Sequence, residues 1–320
     1  MLNPLKSLFG NYWGASAINT LSTSTLTSES KINTSGSMAT RTPVYFVSHG
    51  GPTTMYDDKH PVWPELQAIG REITQKVRPA AIVVFSAHWQ AQRPNTIEVN
   101  VSEQEPLLYD FYGFPRHYYA EKFPNKGSPE LARKIMALLN SNGIKTQEEE
   151  RGLDHGAFVP FKVMFDPKQN PVTVPIVQVS LFDDDTDADA HIKLGRAVQK
   201  LREENVLILC SGMSIHNLRH FMMMGGRGLA ANPPAYAVDF DQALKDAAET
   251  APGSHRDELM VELLARKDAR LAHPTFEHLL PAHVAVGAAG ADHGKQLFTF
   301  VEGPMAWAQY RFGEIQAAAG

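Results

Sequence analysis

The stretch Val44-Tyr-Phe-Val-Ser-His-Gly-Gly-Pro52 reads as a buried strand that delivers a histidine into a glycine turn. Its apolar residues run on without polar alternation, the pattern of a strand covered on both faces, as in a parallel sheet. Two further stretches repeat it: Ala81-Ile-Val-Val-Phe-Ser-Ala-His-Trp89 and Val206-Leu-Ile-Leu-Cys-Ser-Gly-Met-Ser-Ile-His216. In a parallel α/β sheet the carboxyl ends of the strands share one edge, and ligands bind there. His49, His88 and His216, delivered from separate strands, would meet at that edge. Neutral imidazole is a good ligand for divalent metals, and its pKa suits proton transfer. Three histidines with the same placement predict a metal site with chemistry attached.

Outward from these runs, strands are predicted at 43–48, 81–86, 96–101, 173–181, 206–211 and 297–302. Amphipathic helices are predicted between them. In 61–73, Leu66, Ile69 and Ile73 share a face, and in 128–141, Leu131, Ile135, Leu138 and Leu139 do so. Ser128-Pro-Glu opens that second helix with a cap and a proline at its first position. The segment 189–203 carries Ile192, Leu194, Val198 and Leu201. A long helical stretch, 234–265, is broken near Pro252-Gly253. The alternation of β and α predicts the α/β class, a mostly parallel central sheet with helices on both faces in a single domain.

The chain has 320 residues, 43% of them hydrophobic, enough for a sizeable core. A formal charge of -5 argues against nucleic acid as a partner. The single cysteine, Cys210, excludes an intrachain disulfide and a cysteine-rich zinc site. No apolar run approaches the roughly 20 residues that span a bilayer, so a soluble, cytoplasmic protein is expected. Residues 1–38 differ from the rest: Ala15 to Ser37 is rich in Ser, Thr and Asn and lacks hydrophobic periodicity. They are expected to form a disordered extension ahead of a catalytic domain over 39–320. A mitochondrial targeting segment is the alternative, and a scarcity of arginine speaks against it.

Other segments carry chemistry of their own. Asp154-His155-Gly156 sets an acidic residue beside a histidine that it could orient, or caps a helix. Gly212-Met-Ser-Ile-His216 lacks the G-x-S-x-G spacing of a hydrolase elbow. His273-Pro-Thr-Phe-Glu-His-Leu-Leu-Pro-Ala-His283 holds three histidines and Glu277 but is not H-E-x-x-H, so a zincin reading fails. His60, His117, His191, His220, His255 and His293 are expected at the surface or in loops.

Six of these segments occur in an order that resembles a known family. They are Ser48-His-Gly-Gly-Pro52, Ser86-Ala-His-Trp89, Asp110-Phe-Tyr-Gly-Phe-Pro115, Leu153-Asp-His-Gly-Ala-Phe-Val-Pro160, Ser211-Gly-Met-Ser-Ile-His-Asn-Leu218 and Glu277-His-Leu-Leu-Pro281. They resemble the LigB-type class III extradiol ring-cleavage dioxygenases, in the DOPA-dioxygenase-like branch, from about Pro43 to about Val301. Met213 departs from the smaller residue of the family pattern. The resemblance implies a mononuclear Fe(II) site, which zinc occupies in some members, with His49 and His88 as ligands. The third ligand it implies is His278, with Glu277 as the fallback. His216 matches the family's acid/base and His155 a second pocket histidine. The implied reaction is cleavage of a catechol ring by O2, the catechol being DOPA-like or a small phenolic acid. Tyr109, Tyr112 and Phe114 could line an aromatic pocket or pack their own loop, and Arg116 could pair with a substrate carboxylate. A zinc-dependent hydrolase and a non-catalytic metal-binding scaffold are the rival readings.

Overall fold

Strands with uninterrupted apolar sequence form the middle of the molecule. The computed structural model describes residues 41–225 and 232–315. Its strands are β1 (Val44–Ser48), β2 (Ala81–Gln90), β3 (Thr96–Asn100), β4 (Lys145–Glu149), β5 (Ile176–Leu181), β6 (Val206–Gly212), β7 (Ile215–His216), β8 (Gly294–Phe298), β9 (Val301–Glu302), β10 (Met305–Ala306) and β11 (Gln309–Phe312). Eight of them make one sheet in the order β4-β3-β5-β2-β6-β1-β11-β8. The neighbours β5, β2, β6 and β1 are mutually parallel. The pairs β3–β5, β1–β11 and β11–β8 are antiparallel, so the sheet is mixed toward its edges.

Every residue of β1, β5 and β6 is buried. Alternate side chains enter two cores, as the period of a strand requires. Phe46, Val83, Phe85, Ile208 and Cys210 face one core, and Tyr45, Ile82, Val84, Leu207 and Leu209 face the other. The first core is covered by helices Pro129–Ser141, Ala188–Val198, Ala235–Glu249, Ser254–Ala265 and Leu280–Ala289, the second by Val62–Arg71 and His155–Met164. Helices on both faces of a mostly parallel sheet match the expected α/β class. The Ser128 hydroxyl caps its helix by accepting from Leu131 N–H at 3.2 Å, and the long helix breaks at 250–253, both as read from sequence.

The helix Leu280–Ala289 is buried over its whole length. An apolar surface all round fits a helix with protein on every side. Its last carbonyls would be orphaned there, and two buried arginines meet them. Arg202 donates to Ala288 O and Ala289 O at 2.9 and 3.0 Å, and Arg256 donates to Gly290 O at 2.7 Å. Cations at a helix C-terminus also oppose its dipole.

The expected strand 297–302 is divided, β8 ending at Phe298 and β9 starting at Val301. Of the histidines expected at the surface or in loops, His60 is in a loop but buried (6% exposed), and His191 is buried within the helix Ala188–Val198 (0%). Burial is tolerated because both rings are hydrogen-bonded at each nitrogen. His191 Nδ1 donates to Asp187 O at 2.7 Å while Nε2 accepts from Phe182 N–H at 3.3 Å. His60 Nε2 donates to Glu302 at 3.2 Å while Nδ1 accepts from Val62 N–H at 3.1 Å. Segment 1–38 lies outside the described residues. Among the described residues no helix is long and apolar enough to cross a membrane.

Candidate active site

Parallel registry brings the strand ends level. Ser48 of β1 lies opposite Gly212 of β6, and Ser86 of β2 lies opposite Ser211. His49 follows β1 directly, and His88 sits near the end of β2. β6 ends at Gly212, and the chain turns into β7, which pairs with β10 in a small second sheet and carries His216. Met213 N–H donates to His278 O at 2.9 Å, which ties the turn before helix Leu280–Ala289 to the same edge.

The imidazoles close on one another there. His88 Nε2 lies 3.2 Å from His49 Nε2 and 3.2 Å from His278 Nε2. His216 stacks on His278 with ring centroids 3.6 Å apart and planes 17° from parallel. His155, the first residue of its helix, has its ring 3.8 Å from that of His88. His49, His88, His155, His216 and His278, each expected at the site, thus share one cluster.

The partners of Nδ1 decide the tautomers. The Ser211 hydroxyl donates to Gly156 O, so toward His49 Nδ1, 2.9 Å away, Ser211 Oγ can only accept. His278 Nδ1 lies 3.0 Å from the Glu277 carboxylate, which also only accepts. His88 Nδ1 faces the Asp110 carboxylate at 3.5 Å. Each Nδ1 therefore carries the proton, and three Nε2 lone pairs point at one another. Burial, reinforced by neighbouring imidazoles, holds all three rings well below the usual imidazole pKa. Three neutral, converging lone pairs suit a divalent cation, and outer partners on the opposite nitrogens are how metal-binding histidines are oriented. A second group, His216, Glu277 and His278, and a third, His88, Asp110 and His155, also have donor atoms close enough to share an ion.

His216 is pushed down to about 4, by burial first, with Glu277 opposing. The Asp110 carboxyl is raised by burial, but the His155 hydrogen bonds and the nearby His88 outweigh this and hold it below the usual carboxylate range.

The loop 107–115 enters the site through residues other than those expected. Tyr112 is 89% exposed and Arg116 faces solvent. Tyr109 and Phe114 pack into the second core, the simpler of the two readings for them. Asp110 and Phe111 reach the cluster instead, Asp110 through His155 and Phe111 edge-on to the His155 ring at 5.8 Å. Sequence alone gave Asp110 no role, although it stands in one of the six motifs.

Gly156 lets the His88 ring lie against the start of its helix. A Cβ there would stand 2.5 Å from Ser86 Oγ and 2.8 Å from His88 Cδ2. Gly156→Ala is expected to displace His88, costing about 1–3 kcal/mol of stability by overpacking and about 10–100-fold in metal affinity. Thermal melts and a metal titration check this, and unchanged affinity would refute the contact's importance.

Comparison with known proteins places the chain in a family. Residues 43–313 match the family model described as the catalytic LigB subunit of aromatic ring-opening dioxygenase. A 4,5-DOPA dioxygenase extradiol from Beta vulgaris is 37% identical over 272 residues, covering 84% of this chain and 95% of the relative. An Escherichia coli K12 protein of the same name is 32% identical over 250 residues, covering 78% and 86%. A crystal structure of an uncharacterized E. coli K12 protein superposes with a TM-score of 0.67 at 28% identity, covering 85% of this chain and all of that one. On the family model and on relatives matched over most of their length, the chain belongs to the LigB family of extradiol ring-cleavage dioxygenases, in its DOPA-dioxygenase-like branch.

Proposed function

We propose that the chain opens the ring of a catechol with O2, inserting both oxygen atoms, at a metal held by His49, His88 and His278. The observation that carries this reading is the convergence of three Nε2 atoms whose opposite nitrogens are each committed to an acceptor. Fe(II) is the metal proposed for activity, and the same three nitrogens also suit Zn(II). Bound there, a redox-active ion supplies electron transfer between catechol and dioxygen and acidifies the catechol hydroxyls.

The chain's own residues do the rest. His216, stacked beside His278, takes a proton from the bound catechol and returns it as the ring opens. His155, its Nδ1–H held by Asp110, presents Nε2 to substrate or oxygen. Phe111, buried against His155, supplies an apolar wall that excludes water. Glu277, earlier the fallback ligand, orients His278 through Nδ1 in this reading. The names of the relatives favour a catechol with an amino-acid side chain such as DOPA.

Oxygen uptake by anaerobically Fe(II)-loaded protein with DOPA and other catechols tests the proposal. Uptake matched by a yellow ring-opened product is the expected result. Ester or phosphoester hydrolysis without oxygen uptake would overturn it in favour of the zinc hydrolase.

A further inference from the structure

We infer that Asp110 is a positioning residue that sets the working nitrogen of two histidines at once, one carboxylate oxygen toward each ring. The inference rests on the proposed metal site. Oδ1 accepts both the backbone N–H and the Nδ1–H of His155, each at 2.9 Å, and Oδ2 faces His88 Nδ1 at 3.5 Å. A carboxylate offers only acceptors, so both rings turn a proton toward Asp110 and a lone pair away from it. For His88 that lone pair is the one directed at His49 and His278.

The backbone delivers Asp110 to this place. Leu108 N–H donates to Leu153 O at 2.7 Å, and Leu153 N–H donates to Pro106 O at 3.0 Å. This short pairing clamps the loop beside the residues that lead into Asp154 and His155. Gly152 permits it, because a Cβ there would collide with the Pro106 carbonyl. One segment thereby reaches a proposed ligand and a pocket histidine that the chain places 67 residues apart.

Asp110→Asn separates the two functions. The two donors of His155 keep the amide oxygen on their side, which leaves the amide NH2 facing His88 Nδ1. His88 is then driven to accept at Nδ1 and carry its proton on Nε2, so metal binding must first reverse that tautomer or break the contact. Apparent Zn(II) affinity, measured by competition with a chromophoric chelator, is expected to fall about 10–100-fold. Turnover at saturating Fe(II) should fall less than in Asp110→Ala, because His155 retains its acceptor. Asp110→Ala frees both rings, so it should show the same loss of affinity and a further fall in kcat of about 100-fold at saturating Fe(II), the scale set by misplacing one group. Melting of the metal-free variants near that of the unsubstituted protein shows that the fold is intact. Asp110→Asn binding Zn(II) as tightly as the unsubstituted protein would overturn the inference, as would equal kcat for the two variants. Failure of the unsubstituted protein to bind metal would instead remove the proposed site itself.

Discussion

His88→Ala is expected to lose its metal. The His88 Nε2 is the middle of the three, 3.2 Å from each of the others, and its removal leaves only two of the three proposed ligand nitrogens. Loss of an outer partner alone costs about 10–100-fold in affinity, and loss of a ligand should exceed about 100-fold. The fold should survive, because the ring is partly exposed and its main-chain strand pairs on both sides within the sheet. Metal content after dialysis measures the effect, and a thermal melt with and without added metal checks it independently. Ligand binding to the native state alone raises the melting temperature. The unsubstituted protein should show that rise and the variant should not. Stoichiometric iron retained by His88→Ala would refute the ligand set.

His216→Ala should behave in the opposite way, keeping its metal and losing turnover. The ring stacks on His278 without standing among the three converging nitrogens, so its proposed work is proton transfer. General acid–base catalysis contributes about 10²–10⁴-fold, and a fall in kcat of at least about 100-fold is expected. Metal analysis separates this from a ligand role. If His216→Ala loses metal while His88→Ala keeps it, the ion belongs to the alternative group of His216, Glu277 and His278. Normal turnover with metal bound would remove the acid/base assignment.

The parts of the site legible in sequence are those delivered by strands of the central sheet. His49 and His88 stand at the ends of apolar runs whose burial leaves little freedom in reading them, and the parallel register does the rest. His216 needs one more step, a reversal into β7 after β6. His278 follows no strand. It sits in a turn before a helix so evenly apolar that no periodicity marks it, and only the resemblance of Glu277-His-Leu-Leu-Pro281 singled it out. Asp110 was invisible in its role because a pairing between loops, Leu107 against Leu153, brings it in. Strand β4, Lys145–Glu149, escaped notice for a related reason: at the sheet edge it is polar and partly exposed, and carries no apolar pattern. His191 was misplaced because an imidazole with both nitrogens satisfied can be buried as readily as an apolar ring.

The candidate ligands His88 and His278 are 190 residues apart in the chain. Contacts of such range form late in folding, after most of the loop entropy has been lost. A metal held at this edge therefore binds only the finished sheet, and its whole binding free energy counts toward holding that sheet together. At a free concentration of about 1,000 times Kd this amounts to about 4 kcal/mol. Changes of about 1–2 kcal/mol are enough to alter the abundance of a protein in a cell several-fold. With the proposed metal in place, its supply would govern how long each copy lasts as well as whether it works, and a starved cell would hold fewer molecules of the enzyme rather than a store of idle ones.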